Sequence, residues 1–286
     1  MFLFVTTCSS LLGQQVRVPN LSASYLPQTY PLFNPASINA VTETDKGSVL
    51  LSHKQGTGVF SVFSQNYFNA NLCFGTDSVK KHAVGIRILN DQAGKYISLN
   101  RVALLYSYSL VLSERYSLNL GLAPTITNFR KKAQNFGGSA TKGNLDLGLW
   151  FTTNKLMLGA SINQIIENEL AVIEEITLIK SQYVLNAKYN HRIQSFVSLD
   201  YQFFYKINTG LSNEEVFGLT MNYYKHIRIG VNYEQSGSLY FLSGLKDFSF
   251  SKLSGKLSLD FIYGLAVAKR SYTPRNVVEL MMNYEF

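Results

Sequence analysis

Four histidines (His53, His82, His191 and His226) and two cysteines (Cys8 and Cys73) are the side chains best suited to metal or nucleophilic chemistry. No pair of histidines has the H-x-x-x-H spacing that would put two imidazoles on one metal ion. There is no G-x-S-x-G elbow and no glycine loop to cradle phosphate. A phospholipase would need a Ser, a His and an Asn or Asp on neighbouring strands. His191 and Ser195 are close in sequence, but a turn near Arg192 is expected to separate them. Cys73 lies in YFNANLCF between Leu72 and Phe74 and reads as a small, half-buried apolar side chain. These patterns imply no enzyme, no metal site and no cofactor.

The elements that carry these residues alternate with a period of two. Tyr116, Leu118, Leu120 and Leu122 face one way, and Ser117, Asn119 and Gly121 the other. Leu145, Leu147, Leu149 and Phe151 oppose Asn144, Asp146, Gly148 and Trp150. The same pattern runs through 195–206, 226–234 and 257–267, with Asp200, Arg228 and Asp260 in mid-strand on the polar face. Strands are expected to start near residues 47, 65, 81, 97, 115, 143, 156, 179, 195, 213, 226, 239, 255 and 276. That gives about fourteen strands, an even number as single-chain bacterial barrels require. Their length suits a tilted crossing of a bilayer. Charged residues in mid-strand suit a wet lumen. Tyr106, Tyr108, Tyr116, Tyr205 and Tyr223 are expected near strand ends as an aromatic girdle. Trp150 and Phe196 read as large lumen-facing residues that obstruct the interior. The stretch 165–178 breaks the alternation and reads as a loop or a short amphipathic helix.

Composition fits this reading. Charged residues are 15% of the 286 positions, and 18 Tyr and 19 Phe accompany a single Trp. The net charge of +8 is scattered over turns such as Lys80-Lys81 and Arg130-Lys131-Lys132. Without clustering on one element it does not point to nucleic acid; it suits solubilising turns and contact with lipid headgroups.

The two ends carry export signals. Residues 1–13, MFLFVTTCSSLLG, read as a signal peptide with an apolar core followed by small residues. Thr7 stands where a lipobox carries Gly or Ala, so lipidation at Cys8 is not expected. Residues 14–46 hold four of the six prolines and read as an irregular segment, tucked into the barrel as a plug or along its periplasmic mouth. Residues 47–286 form the barrel. The last strand alternates Val278, Leu280, Met282, Tyr284 and Phe286 against Val277, Glu279, Met281, Asn283 and Glu285. A strand ending on Phe in this way resembles the signal read by the outer-membrane assembly machinery.

The motifs resemble those of the PorP/SprF family of Bacteroidetes. SYLPQTYPLFNPA, residues 24–36, is similar to that family's opening at Gln28, Tyr30, Phe33, Asn34, Pro35 and Ala36. Residues 84–122 resemble its block in which G-x-x-x-x-N-D-x-x-G precedes a Tyr-rich strand and a Leu-x-x-Gly-Leu strand. The matching positions are Gly85, Asn90, Asp91, Gly94, Tyr106, Tyr108, Leu110, Leu118 and Gly121. GNLDLGLWFTTNKLMLGASIN, residues 143–163, fits the family's later strands. The family's Gln-Trp is absent; Gln65-Asn66-Tyr67-Phe68 holds its place. Each match also has a local reading. Asn34-Pro35 is a turn signal, and Asn90-Asp91 with Gly94 suits a tight hairpin turn.

The resemblance implies an outer-membrane component of the type IX secretion system, the export route that supports gliding motility in some species. It further implies a non-enzymatic barrel that helps secrete or attach a cognate, adhesin-like surface protein. Its expected partners are outer-membrane lipid, other secretion components, a periplasmic peptidoglycan-binding lipoprotein and the secreted protein. The competing reading is a transport barrel, either a porin or a fatty-acid-transporter-like channel. The latter type also carries an N-terminal plug and an Asn-Pro-Ala motif, but needs an apolar internal path. The polar-face residues here are Ser, Asn, Gly, Asp and Gln.

Overall fold

The computed structural model describes residues 26–41, 46–57, 63–75, 80–94, 97–132, 137–166, 168–172, 175–208, 213–224, 226–249, 255–267 and 276–286. The signal-peptide reading of 1–13 lies outside these residues.

Fourteen antiparallel strands close into one barrel. In chain order they are β1 (Gly47–Gly56), β2 (Phe63–Phe74), β3 (Lys80–Ala93), β4 (Ile97–Ser113), β5 (Tyr116–Lys132), β6 (Gly137–Thr153) and β7 (Leu156–Asn163). Then come β10 (Gln182–Gln194), β11 (Val197–Asn208), β12 (Glu214–Tyr223), β13 (Ile227–Glu234), β14 (Ser238–Ser249), β15 (Lys256–Ala266) and β16 (Asn276–Glu285). Each strand pairs with its sequence neighbours, and β1 pairs with β16, Ser48 opposite Glu285, so the sheet has no edge. Between β7 and β10 lies a separate hairpin of β8 (Asn168–Val172) and β9 (Glu175–Ile179).

The strand starts follow the sequence pattern closely. The largest departure is β6, which begins at Gly137 rather than near 143. Residues 137–143, GGSATKG, carry no apolar alternation, and the strand continues there because β5 offers a paired backbone, Lys132 opposite Gly137. The stretch 165–178 is also corrected: it is largely the β8–β9 hairpin, neither loop nor helix. Backbone pairing of Asn168–Val172 with Glu175–Ile179 outweighs the helical look of its spacing.

Alternation decides the two faces. Along β5, Asn119, Gly121, Ala123, Thr125 and Thr127 are buried, whereas Leu120, Leu122 and Ile126 point outward. Leu104 is 61% exposed and Ile126 59%. Apolar rows this continuous on a closed surface require a hydrocarbon solvent. The start of β1 and the end of β16 lie at the same end of the barrel. That end is closed by tight turns at 114–115, 154–155 and 195–196, while 164–181 spans the other. Short turns mark the periplasmic side and long connections the cell surface.

Residues 26–41 are helical rather than irregular. Helix α1 (Leu26–Phe33) leads through a 3-10 turn (Pro35–Ser37) into the short helix α2 (Ile38–Val41). Pro31 lies inside α1 and removes one backbone donor. Burial of Tyr30, Leu32 and Phe33 among inward-facing wall residues holds the turn in place of that bond. The segment lies in the barrel lumen.

Candidate functional site: the occupied lumen

Three glycines prepare the wall for the Asn34-Pro35-Ala36 turn. Gly121 on β5 is opposite Gly148 on β6, and Gly159 on β7 is opposite Trp150 on β6. A Cβ on Gly121 would lie 2.1 Å from the Ala36 nitrogen, and one on Gly148 would lie 2.0 Å from Asn34 Oδ1. On Gly159 it would meet the Trp150 ring at 2.2 Å. Only a residue without a side chain lets the two backbones approach this closely.

Asn34 is the hub of the contact. Its Oδ1 accepts from the Ala36 amide at 3.0 Å and caps the 3-10 turn, which Pro35 enters with φ already fixed. Its Nδ2 donates to the carbonyls of Leu149 at 3.0 Å and Ala160 at 3.1 Å. Ser161 donates to Phe33 O at 2.8 Å, Ser107 to Ala36 O at 3.2 Å, and Asn71 to Ile38 O at 3.2 Å. Wall side chains thus satisfy carbonyls that the short helices leave open.

A buried ion cluster clamps the other side. Asp146 Oδ2 accepts from Arg87 at 2.8 Å and from Arg101 at 2.6 Å, and its Oδ1 accepts from Arg101 and from the Gln164 amide. Arg87 also donates to Pro31 O at 2.8 Å and Leu32 O at 2.6 Å, two carbonyls in the last turn of α1. A cation at a helix C-terminus complements the backbone dipoles there. The three charged side chains are 1%, 6% and 0% exposed. Further round the lumen, Arg228 pairs with Asp260 at 3.2 Å and Lys206 with Glu214 at 2.8 Å. Lys206 also lies 6.0 Å from the Phe33 ring centre. Phe33 packs edge-on against Phe204 at 4.9 Å, and Tyr30 lies tilted against Trp150 at 4.8 Å.

The structure brings together Gln28, Tyr30, Asn34, Pro35, Ala36 and Gly121 at this lumenal contact. Gly85 lies on β3 opposite Asn71, where a Cβ would come 2.8 Å from Ala70 O. Other motif residues lie elsewhere. Asn90 and Asp91 are inside β3, not in the hairpin turn; Gly94 is in that turn with φ +77°. Tyr106 and Tyr108 fall inside β4 because that strand runs on to Ser113, so they pack beside His82 rather than at a strand end. Tyr116 and Tyr223 do end their strands. Val278, Leu280, Met282 and Tyr284 line the outer face of β16, and Phe286 follows that strand. Phe196 is not in the lumen: it stacks on Tyr224 at 5.2 Å at the β10–β11 turn, and Phe204 is the large inward ring of β11. The sequence reading missed Arg87, Arg101, Gly148, Gly159 and Ser161 as a set. Their shared signal was small or charged type in the polar phase of adjacent strands.

Trp150, the single tryptophan, is fully buried against Tyr30 and reports on this contact. Tyr30→Ala is expected to red-shift its emission and open it to acrylamide quenching. Unchanged emission would mean that the ring contact does not shield the indole.

Fold and lumen together define an outer-membrane β-barrel whose interior is filled by its own N-terminal segment. Solved barrels share the architecture. The CymD monoaromatic hydrocarbon channel matches with a TM-score of 0.59 at 11% identity, over 90% of this chain and 91% of that one. The Ralstonia pickettii toluene transporter TbuX matches with a TM-score of 0.56 at 13% identity, over 92% and 93%. A Pseudomonas aeruginosa FadL homologue matches with a TM-score of 0.54 at 12% identity, over 88% and 93%. At these identities the likeness is one of fold. No curated protein matches the sequence. The chain belongs to the PorP/SprF family of type IX secretion system membrane proteins, whose model matches residues 14–284.

Proposed function

We propose that this barrel is a non-enzymatic component of the type IX system that helps secrete or attach one cognate surface protein. The observation that carries the reading is the filled lumen. Asn34, held by two wall carbonyls, and Arg87, held by Asp146, fix the chain's own segment across the interior. With the interior occupied, the surfaces at the two mouths are what the barrel offers to other proteins. A periplasmic peptidoglycan-binding lipoprotein and the rest of the machine are the partners on one side, and the secreted protein on the other.

The outer rim supplies a contact point of suitable character. Among the described residues, Arg130, Lys131, Lys132 and Lys142 concentrate on the β5–β6 hairpin. A one-sided basic patch favours an acidic partner and raises its encounter rate. The hydrocarbon-channel reading is less well supported: the inward-facing apolar residues, Leu50, Val184, Phe204 and Ile262 among them, pack in one cluster with Tyr30, Leu32 and Phe33 of the chain's own segment, so that apolar surface is already occupied.

The test is deletion of the gene, followed by mass spectrometry of surface, medium and periplasm. Loss of one large protein from the surface, with accumulation in the medium or periplasm, is the expected result. An unchanged surface proteome with reduced small-solute uptake would replace this reading with the transport one. Within the same assay, Arg130→Glu with Lys132→Glu is expected to lower surface retention of that protein several-fold while the barrel stays in the membrane.

A further inference from the structure

On the periplasmic side of residues 26–41, the lumen wall formed by β10, β11 and β12 steps inward in register from the rim. Arg192, Ser198 and Asn222 make the outermost row, with Arg192 exposed and the other two half-buried. One row deeper, Asn190 lies opposite Asp200, and in the third row Lys188 lies opposite Gln202. Asn190 and Lys188 still reach solvent, the Lys188 side chain at 19% exposure. In the fourth row Asn186 and Phe204 are both buried, and there Phe33 of the lumenal segment packs on Phe204. That row is the floor of a vestibule whose mouth is the periplasmic rim.

Two features of this vestibule call for a ligand. The first is at its floor. Asn186 is 3% exposed, and neither its Nδ2 nor its Oδ1 has a hydrogen-bond partner. One row nearer the mouth, Gln202 donates to Thr220 at 3.1 Å, while its Oε1 is unmet at 4% exposure. The bonds described above tie the lumenal segment to β2, β3, β4, β6 and β7, across the lumen from these amides. Unbonded buried amides are costly, and a peptide group, with one donor and one acceptor, answers both atoms of Asn186 at once.

The second feature is charge. Asp200 is the acid of the three outer rows, and it is already engaged: Lys188 lies 3.2 Å away, and Asn190 and Asn222 donate to it at 2.6 Å and 3.1 Å. Arg192 stands exposed at the mouth, reaching Ser195 O at 3.4 Å. Across the opening, Lys46 before β1 and Lys81 in β3 fall in the inward phase of their strands.

We infer that this vestibule receives an extended acidic peptide segment, its backbone amides against Asn186 and Gln202 and its carboxylates against Arg192 and Lys188. The inference rests on the function proposed above and names the chemistry of the contact on the periplasmic side. Amides at the floor select a peptide over a bare polyanion, because a phosphate chain has no donor for Asn186 Oδ1 or Gln202 Oε1.

The experiment uses the purified full chain in neutral detergent and two short labelled peptides, one of alternating Glu and Ser and one of alternating Lys and Ser, followed by fluorescence anisotropy. It reads binding and not secretion, so either proposal can fail without the other. The acidic peptide is expected to bind about ten-fold more tightly, with the margin shrinking as salt is raised. Lys188→Gln with Arg192→Gln should abolish the margin. Asn186→Leu leaves every charge in place and should weaken the acidic peptide several-fold. Each variant's barrel is checked by the faster gel migration of unheated sample. Arg130→Gln with Lys132→Gln on the outer hairpin should bind as the wild type does. Equal binding of the two peptides overturns the proposal, as does a full margin in the Lys188 and Arg192 variant or a lost margin in the outer one. Asn186→Leu binding as tightly as wild type also overturns it, because charge alone would then hold the peptide at the rim. So does a polyphosphate chain that competes as well as unlabelled acidic peptide, because the vestibule would then take polyanions of any backbone.

Discussion

Replacing Asp146 with alanine is expected to destabilise the folded barrel by about 3–5 kcal/mol, because it leaves two buried guanidinium groups without their carboxylate. Arg87 and Arg101 both bond to Asp146 Oδ2, and neither can move to water from 1% and 6% exposure. The midpoint of urea unfolding, followed by Trp150 emission and by the gel mobility of unheated protein, reads the loss. Asp146→Asn keeps the volume and one acceptor, so it should fall between wild type and Asp146→Ala. The triple change Arg87→Met, Asp146→Leu, Arg101→Met removes all three charges and should recover much of the midpoint. It should not restore the plug, because Arg87 also holds Pro31 O and Leu32 O. A single alanine variant as stable as wild type would show that water reaches the cluster and that the clamp is weak.

Gly121→Val acts on the plug and not on the wall. Valine suits a strand, but its Cβ would lie 2.1 Å from the Ala36 nitrogen, a backbone atom that no rotamer change can move aside. The 3-10 turn must withdraw from β5. Overpacking of this kind costs about 1–3 kcal/mol, which corresponds to about 5–150-fold less of the docked segment. The barrel should still assemble and show its faster gel migration. Residues 26–41 should become open to protease, and Trp150 emission should shift to the red. Single-channel conductance in planar bilayers should rise. Gly143→Val is the matched control, since the nearest atom its Cβ would meet outside its chain neighbours is Thr125 O at 4.0 Å. If both variants behave alike, the glycine platform does not seat the turn.

Much of the wall was legible in the sequence because a two-residue period has only two phases. In β5 and β15 every second residue declares its face: Leu120 and Leu122 against Asn119 and Gly121, and Leu259 and Phe261 against Ser258 and Asp260. Boundaries were less legible where pairing and not patterning sets them. β6 runs into GGSATKG because β5 lies beside it, and β8–β9 forms because its halves pair with each other. Asn90 shows the same limit. Its composition resembles a turn, yet β3 continues through it because β4 provides Asn100 opposite.

The site divides in the same way. Asn34-Pro35-Ala36 and Gly121 could be singled out as a turn and a strand glycine, from properties each residue holds alone. Their contact joins positions 85 or more residues apart and depends on the closure of the barrel around the segment. Asp146 could be seen as a polar-phase charge. Its pairing with Arg87 and Arg101 depends on β3, β4 and β6 curving until their inner faces converge. The sequence by itself determined the strand count, the lipid-facing side and the family, because alternation and short motifs are local properties of the chain. Only the tertiary structure decided that the lumen is filled and by which contacts, because those contacts arise from shear and closure, which bring together residues that no spacing along the chain relates.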